Sequence, residues 1–210
     1  GGLQSGFGVF GVEYQKPRFL ISFTSDAMRD KGSLLLSSAL SIGEIDGVQM
    51  FGPKHVDPAF VEAHRTTLRR RKGAGLWLWK PYLINRTLAS LPEGALLMYC
   101  DAGVQFVSSA APLFQLAEEA PEEVVTFGMA AHSERQYTKP SVLEEMRCDG
   151  TCADSPQRAA TFSLYHNGPA SRRFVASWLE LCLQETLIQD EHAPFDYSAS
   201  PFELWLGVGW

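Results

Sequence analysis

The sequence predicts an α/β fold in which a mostly parallel central sheet is flanked by helices. Short apolar runs of strand-forming residues alternate along the chain with segments of helical spacing. The runs at 18–25 and 48–53, joined by one such segment, have the pattern of a parallel crossover unit. A third run, ALLMYCD at 95–101, ends in Asp101, which two small residues follow. Open α/β sheets place ligand-binding groups in loops of this kind, at the carboxyl ends of strands.

The chain of 210 residues is long enough for one ordinary domain. Its hydrophobic fraction of 45% is sufficient for a sizeable core. Residues 1–16 are glycine-rich and poorly patterned. We therefore expect a flexible N-terminal arm at 1–16 and a single domain at 17–210.

The net charge of −6 argues against broad nucleic-acid binding, which requires a basic face. No run of about 18 apolar residues occurs, so the sequence predicts no membrane span. We expect a cytoplasmic location. A Golgi or secretory lumen stays open as the alternative, because the chain begins without a methionine and an upstream anchor is then conceivable.

The first half of the chain places polar residues at the ends of predicted elements. Thr24 and Ser25 close the first strand, where a nucleotide base or ribose would be contacted, although Ser25 also fits a helix N-cap. Helical spacing follows at 33–45 and again at 58–72. The second helix ends in a basic run that suits the helix dipole, yet Arg69 also fits bidentate phosphate recognition.

The central stretch at 72–106 carries the strongest functional signals. Trp77 and Trp79 alternate around one residue, which predicts an extended segment with both indoles on one side. Lys80 then lies at the entrance of a helix at 82–91. Because a cation at that end opposes the helix dipole, we expect a nearby anion or carbonyl group as its partner.

The second half continues the alternation of strands and helices. Helical segments are expected at 112–120, from Ser141 and at 169–193, with strands at 124–131 and 160–165, and an aromatic tail at 194–210. Cys148 and Cys152 would form a disulfide in an oxidising compartment or stay reduced elsewhere. They lack the two further ligands that a zinc site would need.

Five linked segments resemble a family of glycosyltransferases with a GT-A-like fold that act in capsular-polysaccharide and related glycan assembly. The family's GYGYWxWKPY-like segment and YLDAG-like strand end correspond here to GAGLWLWKPY and MYCDAG. Its aromatic-Thr-Lys, SPQxxAxF-like and WLxxC-like segments correspond to QYTKPSVLEEM, SPQRAATFSLY and SWLELC. The five follow one another in the family's order between residues 19 and 191, which is more specific than any single motif.

The resemblance implies an enzyme that moves a sugar from a nucleotide-diphosphate sugar donor to a glycan or protein-linked acceptor. It implies Asp101 and Lys80 as catalytic residues, with Asp101 also a ligand for Mn²⁺ or Mg²⁺. Around the donor we place Thr24, Ser25, Arg69, Trp77, Trp79, Gly103 and Gln157. Candidate bases for the acceptor hydroxyl are Glu134, Asp154 and Asp196, among which the sequence does not choose.

Two departures from the family keep other functions open. GT-A enzymes often hold a metal with a DxD motif, whereas the third position here is Gly103. The tail at 194–210 also differs from the family's acceptor-side segment. A non-catalytic nucleotide-sugar or glycan-binding module is therefore the main alternative. A nucleotidyltransferase is a weaker one, because no glycine-rich triphosphate loop follows the first strand.

Overall fold

The computed structural model describes residues 16–189 of the chain. Its strands are β1 (Arg18–Phe23), β2 (Gly47–Phe51), β3 (Leu96–Cys100), β4 (Val124–Val125), β5 (Gly128–Ser133), β6 (Pro156–Arg158) and β7 (Phe162–His166). Its helices are α1 (Arg29–Ser41), α2 (Pro58–Ala63), α3 (Arg65–Leu68), α4 (Gly73–Leu76), α5 (Trp79–Ser90), α6 (Ala111–Glu119), α7 (Glu134–Tyr137), α8 (Pro140–Glu145), α9 (Gly150–Ala153), α10 (Pro169–Leu183) and α11 (Glu185–Ile188).

The central sheet has the strand order β2-β1-β3-β7-β4. Strands β2 and β3 both pair with β1 in parallel, whereas β7 is antiparallel to β3 and to β4. All central strands except β7 therefore run in the same direction, and the predicted α/β fold with a mostly parallel sheet is confirmed. The chain moves outward from β1 to β2 and then returns across β1 to β3, so the order of strands reverses between β1 and β3.

Both faces of the sheet are buried under helices. On one face, Ile21 of β1 and Leu97 of β3 pack in a cluster that includes Ile84 of α5 and Val175 of α10. On the other face the strands pack against residues of α1 and α6, among them Phe114. Burying a side chain of this size contributes roughly 1.5–3 kcal/mol, so the two layers hold the sheet from both sides.

Three elements differ from their predicted extents. The helix expected at 58–72 breaks at His64, whose backbone is not helical, so that α2 ends and α3 begins there. The strand expected at 124–131 divides between two sheets, with β4 in the central sheet and β5 paired with β6. The helix expected at 169–193 is interrupted at Gln184, which is extended.

Residues 126–161, which we call the insertion, lie between β4 and β7 and contain the two-stranded sheet with α7, α8 and α9. Because β4 ends and β7 begins at the carboxyl edge of β3, the insertion leaves and rejoins the central sheet there. A disulfide joins Cys148 and Cys152, with their Cα atoms 5.3 Å apart. No helix within residues 16–189 is long and apolar enough to cross a membrane.

Candidate functional site

The candidate site lies at the carboxyl edge of the sheet, where the strand order reverses between β1 and β3. Ile21 is in register with Tyr99, so the loops that follow β1 and β3 leave the sheet side by side. Thr24 and Ser25 are half-buried in the first loop, and Asp101 opens the second. Such a reversal point is where open α/β sheets form a crevice for ligands.

Lys80 and Asp101 form an ion pair at this edge. The Lys80 Nζ donates to Asp101 Oδ1 at 2.9 Å and to the Ala160 carbonyl oxygen at 2.9 Å. The Lys80 side chain is 5% exposed and that of Asp101 is 39% exposed. The partner that the sequence predicts for Lys80 is confirmed, since both an anion and a carbonyl group are present. The ammonium lies beneath the carboxylate, and the carboxylate faces solvent.

Tyr99 is a member of the site that our sequence analysis missed. Its hydroxyl donates to the same Asp101 oxygen, Oδ1, and its side chain is buried in the sheet. The Lys80 Nζ also lies 4.7 Å from the centre of the Tyr99 ring, within cation–π range. Burial, reinforced by the Asp101 charge, raises the pKa of Tyr99 well above its ordinary value, so the phenol remains a donor at neutral pH.

The alternation of side chains in β3 is the signal that would have identified Tyr99. Successive side chains of a strand point to opposite faces, so Tyr99 and Asp101 share a face. A buried tyrosine needs a partner for its hydroxyl, and the nearest charged group on that face is the carboxylate two residues later. The alternation thus indicates the pair, whereas the apolar character of the run alone predicts only a strand.

The insertion is tied directly to the site. The Asp101 amide donates to the Thr161 carbonyl oxygen at 2.8 Å, and Lys80 bonds the carbonyl of the preceding residue. The Val104 amide in turn donates to the Asp101 carbonyl at 3.0 Å. The Asp101 backbone is thus fixed on both sides, and its side chain is fixed by two donors.

The chain enters the site through a left-handed turn. Residues 73–77 all have positive φ angles, between 50° and 90°. This conformation costs roughly 1–2 kcal/mol for each residue that carries a side chain. At two of these positions, glycine is also required because a Cβ atom would clash with a neighbouring residue. A Cβ on Gly73 would come within 2.3 Å of the Trp77 indole, and one on Gly75 within 2.8 Å of Leu68.

The predicted extended segment with both tryptophans on one side is therefore wrong. The left-handed turn separates the two indoles: Trp77 is 46% exposed, whereas Trp79 is buried in the first turn of α5. Trp79 stacks on Phe23 with ring centres 3.9 Å apart, and its Nε1 donates to the Gly73 carbonyl at 3.0 Å. Trp79 thus closes the turn from inside the core, and Trp77 presents an indole face to solvent.

The remaining predicted donor residues are Arg69, Gln157 and Gly103. Arg69 is half-buried at the end of α3, and Gln157 is half-buried in β6, where it pairs with Met129. Gly103 is exposed, two residues beyond Asp101, and a Cβ built there meets no atom within 4 Å. The structure thus brings Lys80 and Asp101 together with Thr24 and Ser25 at one edge of the sheet.

The described residues do not fit the divalent metal that the family resemblance implies. Within residues 16–189 no group of three or more His, Cys, Asp or Glu side chains could hold a metal ion. Oxygen Oδ1 of Asp101 already accepts two hydrogen bonds, one of them from a buried ammonium. Like charges close together repel strongly in a partly desolvated site. A divalent cation at Asp101 would therefore lie beside the Lys80 ammonium.

Two of the three candidate bases hold the insertion together. Glu134 accepts from the Arg158 amide at 3.0 Å and from the Thr138 hydroxyl at 2.7 Å. Asp154 pairs with Arg135 at 2.8 Å, and this hydrogen bond lowers the Asp154 pKa. The third candidate, Asp196, lies outside the described residues.

Comparison with known proteins finds similarity in structure but none in sequence. No protein-family model matches the chain, and no curated protein matches it. Among solved structures, the chain is similar to the crystal structure of mouse xyloside xylosyltransferase 1 in its apo form. The TM-score is 0.45 at 11% identity, over 80% of this chain and 72% of that chain.

Proposed function

We propose that the protein is a GT-A-type glycosyltransferase that moves a sugar from a nucleotide-diphosphate sugar to a glycan or protein-linked acceptor. The observation that carries the proposal is Asp101, held at the reversal point of the sheet by Lys80 and Tyr99. An acid fixed in that crevice fits a ligand rich in hydroxyl groups. The motif resemblance around Lys80 and Asp101 supports the same function.

In the reaction, the bond between the sugar's anomeric carbon and the diphosphate oxygen breaks, and its electron pair stays on the diphosphate. The acceptor hydroxyl oxygen bonds to that carbon, and its proton passes to a base. The transition state resembles the oxocarbenium ion of glycoside hydrolysis. Asp101 contacts the donor in this scheme, while the exposed Trp77 indole offers a face on which a base or sugar ring stacks.

Lys80 takes a role different from phosphate binding. Its ammonium is buried and bonds Asp101 and the Ala160 carbonyl. We therefore assign it as a positioning residue that neutralises and orients Asp101. This role agrees with its place at the amino end of α5, where an isolated cation would oppose the helix dipole.

A non-catalytic nucleotide-sugar or glycan-binding module is the second candidate. The observation that favours it is that Glu134 and Asp154, two of the three candidate bases, are both bonded within the insertion. The two candidates differ in turnover. Transfer or hydrolysis of a donor by the chain, followed by release of nucleoside diphosphate, would exclude the binding module.

The first test is a thermal-shift screen with nucleotide sugars and nucleoside diphosphates. We expect at least one donor to raise the Tm of the wild-type protein and to raise that of Asp101→Asn by clearly less. Glu93→Gln is the matched control, because Glu93 is an exposed carboxylate at the opposite end of β3. It should keep the full shift. The absence of any shift across the whole panel would contradict the proposed function.

The disulfide supports a location for the proposed enzyme. Disulfides form and persist mainly in oxidising compartments, whereas cytosolic thiols stay reduced. The Cys148–Cys152 bond thus favours a secretory or Golgi lumen over the cytoplasmic location that we expected from the sequence.

A further inference from the structure

Resting on the proposed donor site, we infer that Asp101 binds hydroxyl groups of the donor through Oδ2 and needs no divalent cation. Lys80 is the permanent counter-ion of this carboxylate. The chemical class of the ligand is a sugar hydroxyl group, which both the ribose and the transferred sugar carry. One Asp101 oxygen accepts hydrogen bonds from the protein, and the other faces the open crevice.

The two oxygens of Asp101 have separate roles. Oδ1 accepts from the Lys80 ammonium and from the Tyr99 hydroxyl, and both of these donors are buried. Oδ2 accepts no hydrogen bond from the described part of the chain, and the side chain is 39% exposed. A carboxylate oxygen without a donor is completed by water or by a ligand hydroxyl group. Oδ2 is therefore the oxygen that faces a ligand.

The charge of the carboxylate is already balanced. The Lys80 ammonium lies 2.9 Å from Oδ1, and its only other bond in the described residues is to a neutral carbonyl. Burial of a charged group is tolerated when it is paired in this way. A divalent cation on Oδ2 would add positive charge beside that ammonium, whereas a neutral hydroxyl would not. The pair thus selects a hydroxyl donor over a metal.

The carboxylate is also held rigidly, which hydroxyl recognition requires. Its side chain has two buried donors, and its backbone bonds Thr161 and Val104. A site built to bond a substrate hydroxyl rejects the analogue without it, because the polar group is then left unpaired. Asp101 therefore contributes to donor specificity as well as to affinity.

The Asp101→Asn substitution reverses the polarity of the site. Lys80 and Tyr99 are both hydrogen-bond donors and would hold the amide oxygen where Oδ1 lies. The amide NH₂ group would then face the ligand in place of an acceptor. A hydroxyl that donates to Asp101 would lose its acceptor in this variant, although the side-chain volume is nearly unchanged.

The test is isothermal titration of the full chain with the nucleotide sugar that gives the largest thermal shift. The titration is run once with EDTA and once with MnCl₂. We expect the two Kd values for the wild type to agree within about threefold, since the counter-ion is part of the protein. Binding that is lost in EDTA and restored by Mn²⁺ would overturn the inference and leave the proposed function intact. Absence of binding in both buffers would overturn the two together.

Deoxy analogues identify the hydroxyl and its source. One analogue lacks a ribose hydroxyl and another lacks a hydroxyl of the transferred sugar. We expect one of them to bind the wild type at least about tenfold more weakly, and to bind Asp101→Asn about as well as the parent donor does. The analogue that behaves in this way shows whether ribose or sugar contacts Asp101. An equal loss in wild type and variant for every analogue would refute the contact.

Discussion

At the scale of single residues, the site depends on the buried side chains that bond Asp101. A carboxylate without protein partners at the end of a strand would rotate freely and be solvated by water. Here a buried lysine and a buried tyrosine converge on one of its oxygens. Two of its neighbours thus convert a common turn residue into an oriented acceptor.

Tyr99→Phe tests the contribution of the hydroxyl at this scale. Removing it leaves the ring in place and takes one donor from Asp101 Oδ1. A hydrogen bond to a charged group contributes about 1.5–3 kcal/mol to stability, which the variant should lose. Because Asp101 also loses one of the two donors that orient it, we expect donor affinity to fall by about tenfold. Isothermal titration measures the affinity, and urea unfolding measures the stability of the same variant.

Tyr165→Phe is the matched control for that experiment. Tyr165 is buried on the neighbouring strand β7, and its hydroxyl bonds Ser163 at 2.9 Å rather than Asp101. We expect a loss of stability on the order of 1 kcal/mol and no change in donor affinity. If the two variants weakened donor binding equally, Tyr99 would be a core residue only.

At the scale of elements, the left-handed turn decides which tryptophan a ligand can reach. The strain at residues 73–77 is offset by the glycines and by the Trp79 bond to the Gly73 carbonyl. Strained backbone of this kind occurs most often where a structure holds a functional group in a fixed position. Its effect here is to bury Trp79 and to expose Trp77, three residues before Lys80.

Gly75→Ala tests this turn. The new Cβ would have a positive φ of 90° and would lie 2.8 Å from the Leu68 backbone. We expect a loss of unfolding free energy of about 2–3 kcal/mol, measured by urea denaturation. Gly43→Ala is the control, since Gly43 has a φ of 66° but no atom within 4 Å of an added Cβ. Gly43→Ala should lower the free energy of unfolding by only about 1 kcal/mol. Equal losses in the two variants would show that the contact with Leu68 is unimportant.

At the scale of the whole molecule, the sequence predicted the parts that depend on local pattern. Short apolar runs of strand-forming residues predicted the strands that converge at Asp101, and the position of Lys80 at a helix entrance predicted its partners. The left-handed turn was not predictable, because Ala74, Leu76 and Trp77 carry no local preference for positive φ. That conformation is selected by contacts that form only in the folded protein, such as the close approach of Gly75 to Leu68.

The insertion was not recognised either, for a similar reason. Its strands β5 and β6 pair with each other across more than 20 residues, so no short window contains both. Only the folded chain shows that its last residues supply the Ala160 and Thr161 carbonyls to the site. The integrity of the insertion is thus linked to that of the site.

The cysteines provide a test of that insertion in the intact protein. Cys148 and Cys152 are disulfide-bonded, whereas burial raises the pKa of Cys100 to about 12 and that of Cys182 to about 11. Only thiolates react readily with iodoacetamide. We expect no labelling of the native protein at neutral pH, and labelling of Cys148 and Cys152 alone after mild reduction, as read by peptide mass spectrometry. Labelling of either residue before reduction would contradict the disulfide and, with it, the argument for an oxidising compartment.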